Sequence, residues 1–317
     1  MSEAWSELIA LRGKRVMVTG AHGFLGRWLV ECLRARGAEP LAIGRAECEL
    51  TDRRAVVQTF ARFAPELVLH AAAVGGGIGW MQAHPATSFS GNILANTHVL
   101  DAAQQAGVRR LVGVSSACAY ARDAVQPMEE ARLMEGLPEP TNGPYGWAKR
   151  AMMIHGRALA EETGFDCAFG VPTNLYGPGE SFDPVRAHVV GALVRRFVVA
   201  HDALAPEVVC WGTGSATRDL LHVRDAAEGL VRLLECGGGP DPVNLGSGEE
   251  HSIAKLAAAI ALATEYAGNV RWDREKPDGM RRKLLDTSRM HARTGWVPRV
   301  KLQAGIQETV ACYRSPS

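Results

Sequence analysis

The chain has 317 residues, of which 47% are hydrophobic and 22% charged, and its 35 basic and 34 acidic residues leave a net charge of +1. This length and composition are ordinary for a globular protein with one large domain or two interlocked ones. The near-balance of charge argues against a general nucleic-acid or membrane-surface binder, because both depend on a cationic excess or patch.

The cysteines and the amino-terminal segment favour a protein of the reducing cytoplasm. Seven cysteines are scattered along the chain without a CxxC pair, so we expect neither a disulfide framework nor a structural zinc site. Residues 1–12 contain no basic segment followed by an apolar core, and no apolar run approaches the roughly 18 residues that span a bilayer. We therefore expect a cytoplasmic protein without a metal or a membrane segment.

Short β-branched runs alternate with helical stretches from residue 15 onward. The expected strands are 15–18, 41–43, 67–69, 111–114, 168–171 and 243–245, with a further apolar run at 208–209. The expected helices are 24–36, 52–63, 92–106, 145–163, a stretch ending near residue 200, 253–267 and 302–313. This alternation predicts an α/β fold in which helices cover both faces of a doubly wound parallel sheet, the Rossmann type.

Three glycines follow the first expected strand at intervals of three and open the first helix. A pyrophosphate needs close backbone approach without a Cβ, and the N–H groups at a helix N-terminus bind its charge. The GxxGxxG spacing differs from the GxGxxG fingerprint and is typical of extended short-chain dehydrogenases. We therefore expect a dinucleotide cofactor bound by Gly20, Gly23, Phe24, Leu25 and Gly26.

The end of the second expected strand favours NADP over NAD. NAD binders offer a carboxylate to the ribose 2′-hydroxyl, whereas NADP binders offer a cation to the 2′-phosphate. Here Arg45 follows the strand and no acid precedes Glu47, so we expect Arg45 to bind the phosphate of NADP(H). Asp52 has two interpretations that stay open, a contact to the adenine amino group and a helix N-cap.

The alternating pattern loosens after residue 172, where Gly, Pro and Asp crowd residues 176–184. We expect residues 1–172 to form the NADP-binding domain, with later strands from about 206–245 returning to its sheet. Residues 173–317 are expected to form mainly a smaller, interleaved substrate-binding domain.

A tyrosine and a lysine four positions apart on an expected helix form a YxxxK motif. Tyr145 and Lys149 would lie on one face, one turn apart. We expect the ammonium to lower the pKa of the phenol, so that Tyr145 passes a proton to or from a sugar oxygen. Lys149 can also hold the nicotinamide ribose. The hydroxyl pair at Ser115 and Ser116 ends a strand, where a carbonyl-orienting serine belongs.

The chain resembles the GDP-L-fucose synthase family of 3,5-epimerase/4-reductases from about residue 15 to the C-terminus. The segments on which this rests are HAAAVGG at 70–76, EPTNGPYGWAK at 139–149, PTNLYGP at 172–178, AHVV at 187–190, WGTG at 211–214, RDLLHV at 218–223 and KPDGMRRKLLD at 276–286.

The resemblance implies roles for particular residues. Ser116, four positions before Tyr120, takes the position of the catalytic serine, and Cys118 and His188 match the acid/base pair for epimerisation. Inverting a carbon beside a ketone needs a base on one face and an acid on the other, and thiol and imidazole both titrate near neutrality. The residues that match those holding the GDP-linked substrate are Asn174, Arg196, Trp211, Arg218 and Lys283.

The chain departs from the family pattern at three places. Ala121 and Gly191 stand where the family usually has proline. The glycine-rich loop at 75–82 is longer and bulkier than in some members, and its Gly-Ile-Gly-Trp resembles GDP-mannose 3,5-epimerases. We expect this loop to lie beside the sugar ring.

The sequence and this resemblance together predict an NADPH-dependent epimerase/reductase of a GDP-4-keto-6-deoxy sugar. The resemblance also implies a homodimer paired through helices of the cofactor domain. A sister enzyme with one activity, 4-keto reduction or epimerisation alone, is the nearest alternative. A non-catalytic NADP-sensing protein on the same fold is the other. The combination of Tyr145, Lys149 and Ser116 disfavours it, because a sensor needs no proton donor.

Overall fold

The computed structural model describes residues 8–237, 239–276 and 280–315. The strands in this part of the chain are β1 Arg15–Thr19, β2 Glu39–Ile43, β3 Leu67–His70, β4 Arg110–Val114, β5 Cys167–Pro172, β6 Asn174–Tyr176, β7 Glu207–Trp211, β8 Thr217–His222, β9 Pro242–Leu245, β10 Glu250–Ser252, β11 Asn269–Asp273 and β12 Arg282–Lys283. The α-helices are α1 Phe24–Ala35, α2 Arg53–Phe63, α3 Ile78–Ala83, α4 Pro85–Gln105, α5 Gly143–Thr163, α6 Val189–Asp202, α7 Val223–Cys236, α8 Ile253–Ala263, α9 Ser288–Thr294 and α10 Leu302–Arg314.

The large sheet has six parallel strands in the order β2-β1-β3-β4-β5-β9. Alternate side chains of a strand point to opposite faces, so each strand contributes to two cores. Val16 and Val18 of β1 pack in the core that contains α1 and α7, whereas Met17 packs in the core that contains α2, α4 and α5. The expected doubly wound α/β fold is confirmed.

The smaller unit is built around β8. Strands β6 and β12 pair with β8 in parallel and β10 pairs with it antiparallel, while β7 and β11 form a separate parallel pair. A third core lies between α6, α8 and α10. Because β6 directly follows β5 and β9 returns to the large sheet, the two units are interleaved along the chain.

The expected strands differ from the structure mainly in their partners. The first five expected strands and the one at 243–245 lie in the large sheet. The apolar run at 208–209 forms β7, but β7 pairs with β11 instead of returning to that sheet. Val208 and Cys210 of this strand are buried in the third core. An apolar run is therefore equally consistent with a strand in the smaller unit and with one in the large sheet. The division into domains at residue 172 stays a prediction.

Two helices differ from the expected ones, and local residues at their N-termini explain where they begin. Helix α4 begins earlier than expected, at Pro85, because proline is well tolerated in a first helical turn. Helix α7 was not expected; the His222 ring accepts a hydrogen bond from Arg224 N at its start. Among the described helices, none is both long and apolar enough to cross a membrane.

Candidate active site

The turn between β1 and α1 is too tight for side chains. Gly20 has a left-handed backbone (φ +69°), and a Cβ there would lie 2.8 Å from backbone atoms just after β3. A Cβ on Gly26 would overlap the Gly20 carbonyl oxygen. Helix α1 has Gly23 at its N-cap, no side-chain cap and no acidic residue in its first turn. The first N–H groups, including those of Phe24 and Leu25, therefore suit an anion such as a cofactor pyrophosphate.

The loop after β2 holds two carboxylates near Arg45. The Arg45 side chain is 80% exposed, and its Nε lies 3.6 Å from the Glu49 carboxylate. Glu47 accepts a hydrogen bond from Gly44 N at 2.7 Å, and this bond lowers the pKa of Glu47. Sequence reasoning assigned no role to either glutamate. Arg45 is positioned to reach a ligand at the end of β2, and its phosphate contact stays a prediction.

Asp52 caps a helix in this structure. Its Oδ1 accepts hydrogen bonds from Arg54 N at 2.8 Å and Ala55 N at 3.3 Å, at the start of α2. The N-cap interpretation of Asp52 therefore accounts for one carboxylate oxygen, and its contact to adenine stays a prediction.

Helix α5 places Tyr145 and Lys149 one turn apart, as the spacing predicts. The Lys149 ammonium is buried, donates to the Val114 carbonyl oxygen at 2.7 Å and lies 5.5 Å from the centre of the Tyr145 ring. Burial lowers the pKa of Lys149 to about 8, an effect that Cys118 partly opposes.

The pKa of Tyr145 moves in the direction opposite to our expectation. Burial, followed by the nearby Cys118, raises the pKa of the Tyr145 phenol. The expected lowering of this pKa is therefore wrong, because burial outweighs any effect of the ammonium, which donates its hydrogen bond to the Val114 carbonyl. Tyr145 is therefore a neutral phenol near pH 7, which makes it a proton donor rather than a base.

The serine pair ends β4 beside this helix. Ser116 begins a short 3₁₀ turn at Ala117–Ala119, and its Oγ accepts a hydrogen bond from Cys118 N at 3.2 Å. Ser115 is buried, and its Oγ has no hydrogen-bond partner among the described residues. The 3₁₀ turn thus brings Ser116 and Cys118 together at the start of α5.

Lys283 links the two residues matched to the epimerisation pair. Its Nζ lies 3.9 Å from the Cys118 Sγ, which also accepts a hydrogen bond from Asn142 Nδ2 at 3.1 Å. His188 precedes α6 as its N-cap and is exposed to solvent, although protein atoms crowd around its ring. Burial by the surrounding walls, followed by the Lys283 ammonium, lowers the pKa of His188. The Lys283 ammonium therefore interacts with both the thiol and the imidazole, whereas the resemblance implies that Lys283 holds the GDP-linked substrate.

The glycine-rich loop lies between the catalytic helix and the His188 segment. A Cβ on Gly75 would lie 3.8 Å from the Tyr145 ring. At the other end, Gly77 N donates to Arg186 O at 2.8 Å, and a Cβ on Gly77 would overlap the Ala187 carbonyl oxygen. The loop thus extends from the ring of the predicted proton donor to the residues that precede His188.

The other residues matched to substrate contacts lie on the smaller unit. Arg196 donates to Val209 O, on the strand that ends at Trp211, whose side chain is 63% exposed. In the register of β8 and β12, Arg218 stands beside Lys283. Asn174 of β6 donates to Asp219 O at 3.4 Å. Of the segment 276–286, residues 277–279 lie outside the described residues.

Three functional candidates were missed by sequence reasoning. Asn142 lies inside a quoted segment, yet nothing in its neighbours indicates that it reaches Cys118. Glu180 is buried and accepts a hydrogen bond from Gly191 N at 3.0 Å, a bond that proline at 191 could not donate. Glu47, noted only as an acid, could have been weighed as a competitor of Arg45 from its spacing after the strand.

A six-stranded parallel sheet, a glycine turn at a helix N-terminus and a Tyr-Lys pair one helical turn apart define an extended short-chain dehydrogenase/reductase. Comparison with known protein families supports this class, because the NAD dependent epimerase/dehydratase family matches residues 16–246. The chain belongs to this family and, within it, to the GDP-L-fucose synthase family.

Similarity to individual proteins extends over nearly the whole chain. Probable GDP-L-fucose synthase 1 of Oryza sativa subsp. japonica is 39% identical over 97% of this chain and 94% of its own length. The structure of a GDP-L-fucose synthetase from Naegleria fowleri bound to NADP has a TM-score of 0.89 at 26% identity, covering 98% of this chain and 97% of that one. A GDP-mannoheptose C4 reductase from Campylobacter jejuni with NADP bound has a TM-score of 0.85 at 25% identity, covering 96% and 99%.

Proposed function

We propose that the protein is an NADPH-dependent epimerase/reductase that inverts C3 and C5 of a GDP-4-keto-6-deoxy sugar and then reduces the ketone at C4. Membership of the GDP-L-fucose synthase family supports the reaction class. The observation on which the proposal mainly rests is the position of the Lys283 ammonium, 3.9 Å from the Cys118 Sγ and near enough to His188 to lower its pKa.

Epimerisation is the task of the thiol and the imidazole. A proton on a carbon beside a ketone is acidic, and its removal leaves an enolate whose negative charge lies on O4. The two centres are inverted when Cys118 and His188 exchange protons with opposite faces of the ring. Burial and the Lys283 ammonium lower the pKa of His188, so its protonated imidazole is a stronger acid and suits the return of a proton to carbon. In this proposal Ser116 and Tyr145 stabilise the charge on O4 through hydrogen bonds.

Reduction uses the phenol as the proton source. NADPH supplies the hydride for C4 when it is bound. Tyr145 protonates O4, a role that its raised pKa favours, since the phenol keeps its proton until charge develops on the sugar oxygen. Lys149 donates a hydrogen bond to Val114 O at the end of β4 and contacts the nicotinamide ribose when the cofactor binds.

Cofactor choice follows from the ends of β1 and β2. The glycine turn leaves room for a pyrophosphate and no room for a Cβ, which fits a dinucleotide. The NADP-bound relatives and the exposed Arg45 guanidinium support NADP rather than NAD. The cofactor-binding set remains Gly20, Gly23, Phe24, Leu25, Gly26, Arg45, Asp52, Tyr145 and Lys149.

The GDP moiety is assigned to the smaller unit. Arg196 and Arg218 bring cations to it, the exposed indole of Trp211 offers a stacking surface for the base, and Asn174 lies at the junction of the units. Lys283 is placed to serve both the diphosphate and the thiol.

A homodimer is part of the proposal. Helices α4 and α5 pack side by side and leave large apolar side chains exposed, namely Phe89, Leu94, Trp147 and Ile154. Pairing of this helix face with its copy would bury them, as in homodimers that associate through an apolar patch.

The second candidate is a single-activity enzyme that reduces the ketone of a related nucleotide sugar. The likeness to a GDP-mannoheptose C4 reductase favours it over epimerisation alone. The first test is product formation from GDP-4-keto-6-deoxymannose and NADPH. GDP-L-fucose as the product supports the proposal, the unepimerised 6-deoxy sugar supports the second candidate, and absence of turnover with retained NADPH binding contradicts both.

A further inference from the structure

Asn142 occupies a helix N-cap without capping the helix. Asparagine is favoured at this position because its side-chain oxygen accepts a hydrogen bond from an N–H of the first turn. At the start of α5 the Asn142 side chain makes no such bond. Its Nδ2 instead donates to the Cys118 Sγ at 3.1 Å, and its buried Oδ1 has no hydrogen-bond partner among the described residues. The fold alone therefore does not explain the side chain at this position.

The contact between Asn142 and Cys118 is fixed by rigid neighbours. The first turn of α5 is pressed against the 3₁₀ turn, since a Cβ on Gly146 would overlap the Cys118 carbonyl oxygen. Lys283 approaches the same sulfur from β12, which is paired with β8. Two donors from two separate elements thus converge on one sulfur atom.

We propose that Asn142 and Lys283 are positioning residues for Cys118, which hold its sulfur at one place in the cleft and stabilise it as the thiolate. A hydrogen bond from an amide and the charge of an ammonium both favour the ionised form of a thiol. The inference deepens the proposed function, in which Cys118 transfers protons at carbon, and that part of it rests on the proposed function.

Two further titratable groups near Cys118 come from α5. Tyr145 and Lys149 both interact with the sulfur, because Cys118 raises the pKa of each. A thiolate at this place therefore helps to keep the Tyr145 phenol protonated. By stabilising the Cys118 thiolate, Asn142 and Lys283 therefore also affect the protonation of Tyr145.

The test measures the alkylation of Cys118 by iodoacetamide as a function of pH in the full-length protein without substrate. Trypsin releases residues 111–122, in which Cys118 is the one cysteine, so mass spectrometry follows this site among the seven. The pH of half-maximal rate is the readout, because it reports thiolate formation, whereas the absolute rate also changes with the nucleophilicity of the sulfur.

Asn142→Ser and Lys283→Met each remove one donor. Serine is a good N-cap, so Asn142→Ser should unfold at the same temperature as the wild type or higher. Each variant should raise the pH of half-maximal alkylation by about one unit, a tenfold loss of thiolate at neutral pH. Lys283→Arg should restore most of the effect. Arg282→Met is the matched control, since this cation stands next to Lys283 but binds Glu250, and its profile should match the wild type.

If the pH of half-maximal alkylation is unchanged in one variant, the residue replaced there does not stabilise the thiolate. If it is unchanged in both variants, the proposal is overturned. A wild-type Cys118 that alkylates only at the pH of a free cysteine also overturns it. Because this measurement needs no substrate, it is independent of turnover. If the proposed function holds as well, Asn142→Ser should slow deuterium exchange at the sugar carbons and leave the KM for NADPH unchanged.

Discussion

Tyr145 and Lys149 show that a sequence motif does not determine the sign of a pKa shift. The four-residue spacing correctly predicts that both lie on one face of a helix. The spacing cannot show that the Lys149 ammonium donates to the Val114 carbonyl at the end of β4. Nor can it show that burial is the main cause of the shift in the pKa of the Tyr145 phenol. The sign of the pKa shift of Tyr145 depends on these tertiary contacts, so it was available only from the structure.

Replacing Tyr145 with phenylalanine should lower the rate of ketone reduction by at least about 10²-fold, because the ring packing stays while the proton donor is lost. Binding of NADPH, measured by fluorescence titration, should persist. A variant that reduces the ketone at a rate near that of the wild type would remove Tyr145 from the mechanism.

Replacing Arg45 with glutamine should weaken NADPH binding by about 1.5–3 kcal/mol and leave NADH binding nearly unchanged, as expected for the loss of a charge-assisted bond to phosphate. Arg62→Gln, at the far end of α2, is the control and should change neither affinity. Equal losses for NADPH and NADH would show that Arg45 supports the fold or the adenine instead.

Elements were easier to predict than their partners. The strand-turn-helix unit of β1 and α1 is specified locally, by a β-branched run, three glycines and an amphipathic helix. The pairing of β7 with β11 joins residues far apart in sequence, and no local pattern distinguishes it from a return to the large sheet. The short strands β10 and β12 exist only because β8 lies between them, which explains why they were missed.

The loop at 75–82 offers a test of how an element shapes the site. A Cβ on Gly77 would overlap the Ala187 carbonyl oxygen, whereas one on Gly79 would meet only Val185 O at 3.9 Å. Gly77→Ala should therefore displace the loop or the His188 segment and lower kcat/KM at least about tenfold, with NADPH affinity retained. Gly79→Ala, the matched control, should keep near wild-type kinetics. Equal kinetics in both variants would show that the loop does not shape the active site.

The buried carboxyl of Glu180 should make stability depend on pH. Burial raises its pKa from the usual 4.5 to about 8, so between these values the folded state holds a proton that the unfolded state has lost. Stability should therefore fall as pH rises through this window, by about 2–4 kcal/mol for this group. Glu180→Gln keeps an acceptor for Gly191 N and should lose this dependence.

Urea unfolding of wild type and Glu180→Gln at about pH 5 and about pH 8.5 measures the difference. The variant should gain stability relative to the wild type at the higher pH. A constant difference between the two proteins across this range would show that Glu180 titrates normally.

At the scale of the whole molecule, the site lies where the two interleaved units meet. The large sheet contributes the glycine turn, Ser116 and the helix with Tyr145, and the smaller unit contributes His188 and Lys283. Sequence reasoning proposed most of these residues because each lies in a recognisable segment, and their roles stay predictions. It could not place Lys283 against the sulfur, since β12 reaches Cys118 only through its pairing with β8.

Replacing Cys118 with alanine should separate the two reactions within this shared cleft. Proton exchange at C3 and C5 should fall by about 10²–10⁴-fold, the range expected when a general acid or base is removed. Reduction of the unepimerised ketone should survive, because Tyr145 and the cofactor turn are untouched. His188→Asn should slow the same exchange, with some loss of substrate binding.

The central claim is that one cleft both epimerises and reduces, and wild-type turnover in deuterated water tests it most directly. With GDP-4-keto-6-deoxymannose and NADPH, the product should contain deuterium at C3 and C5, because proton exchange at both carbons precedes hydride delivery at C4. Nuclear magnetic resonance of the product reads both positions. A product reduced at C4 with no deuterium at either carbon would contradict the account and leave Cys118 as a packing residue in a plain 4-reductase.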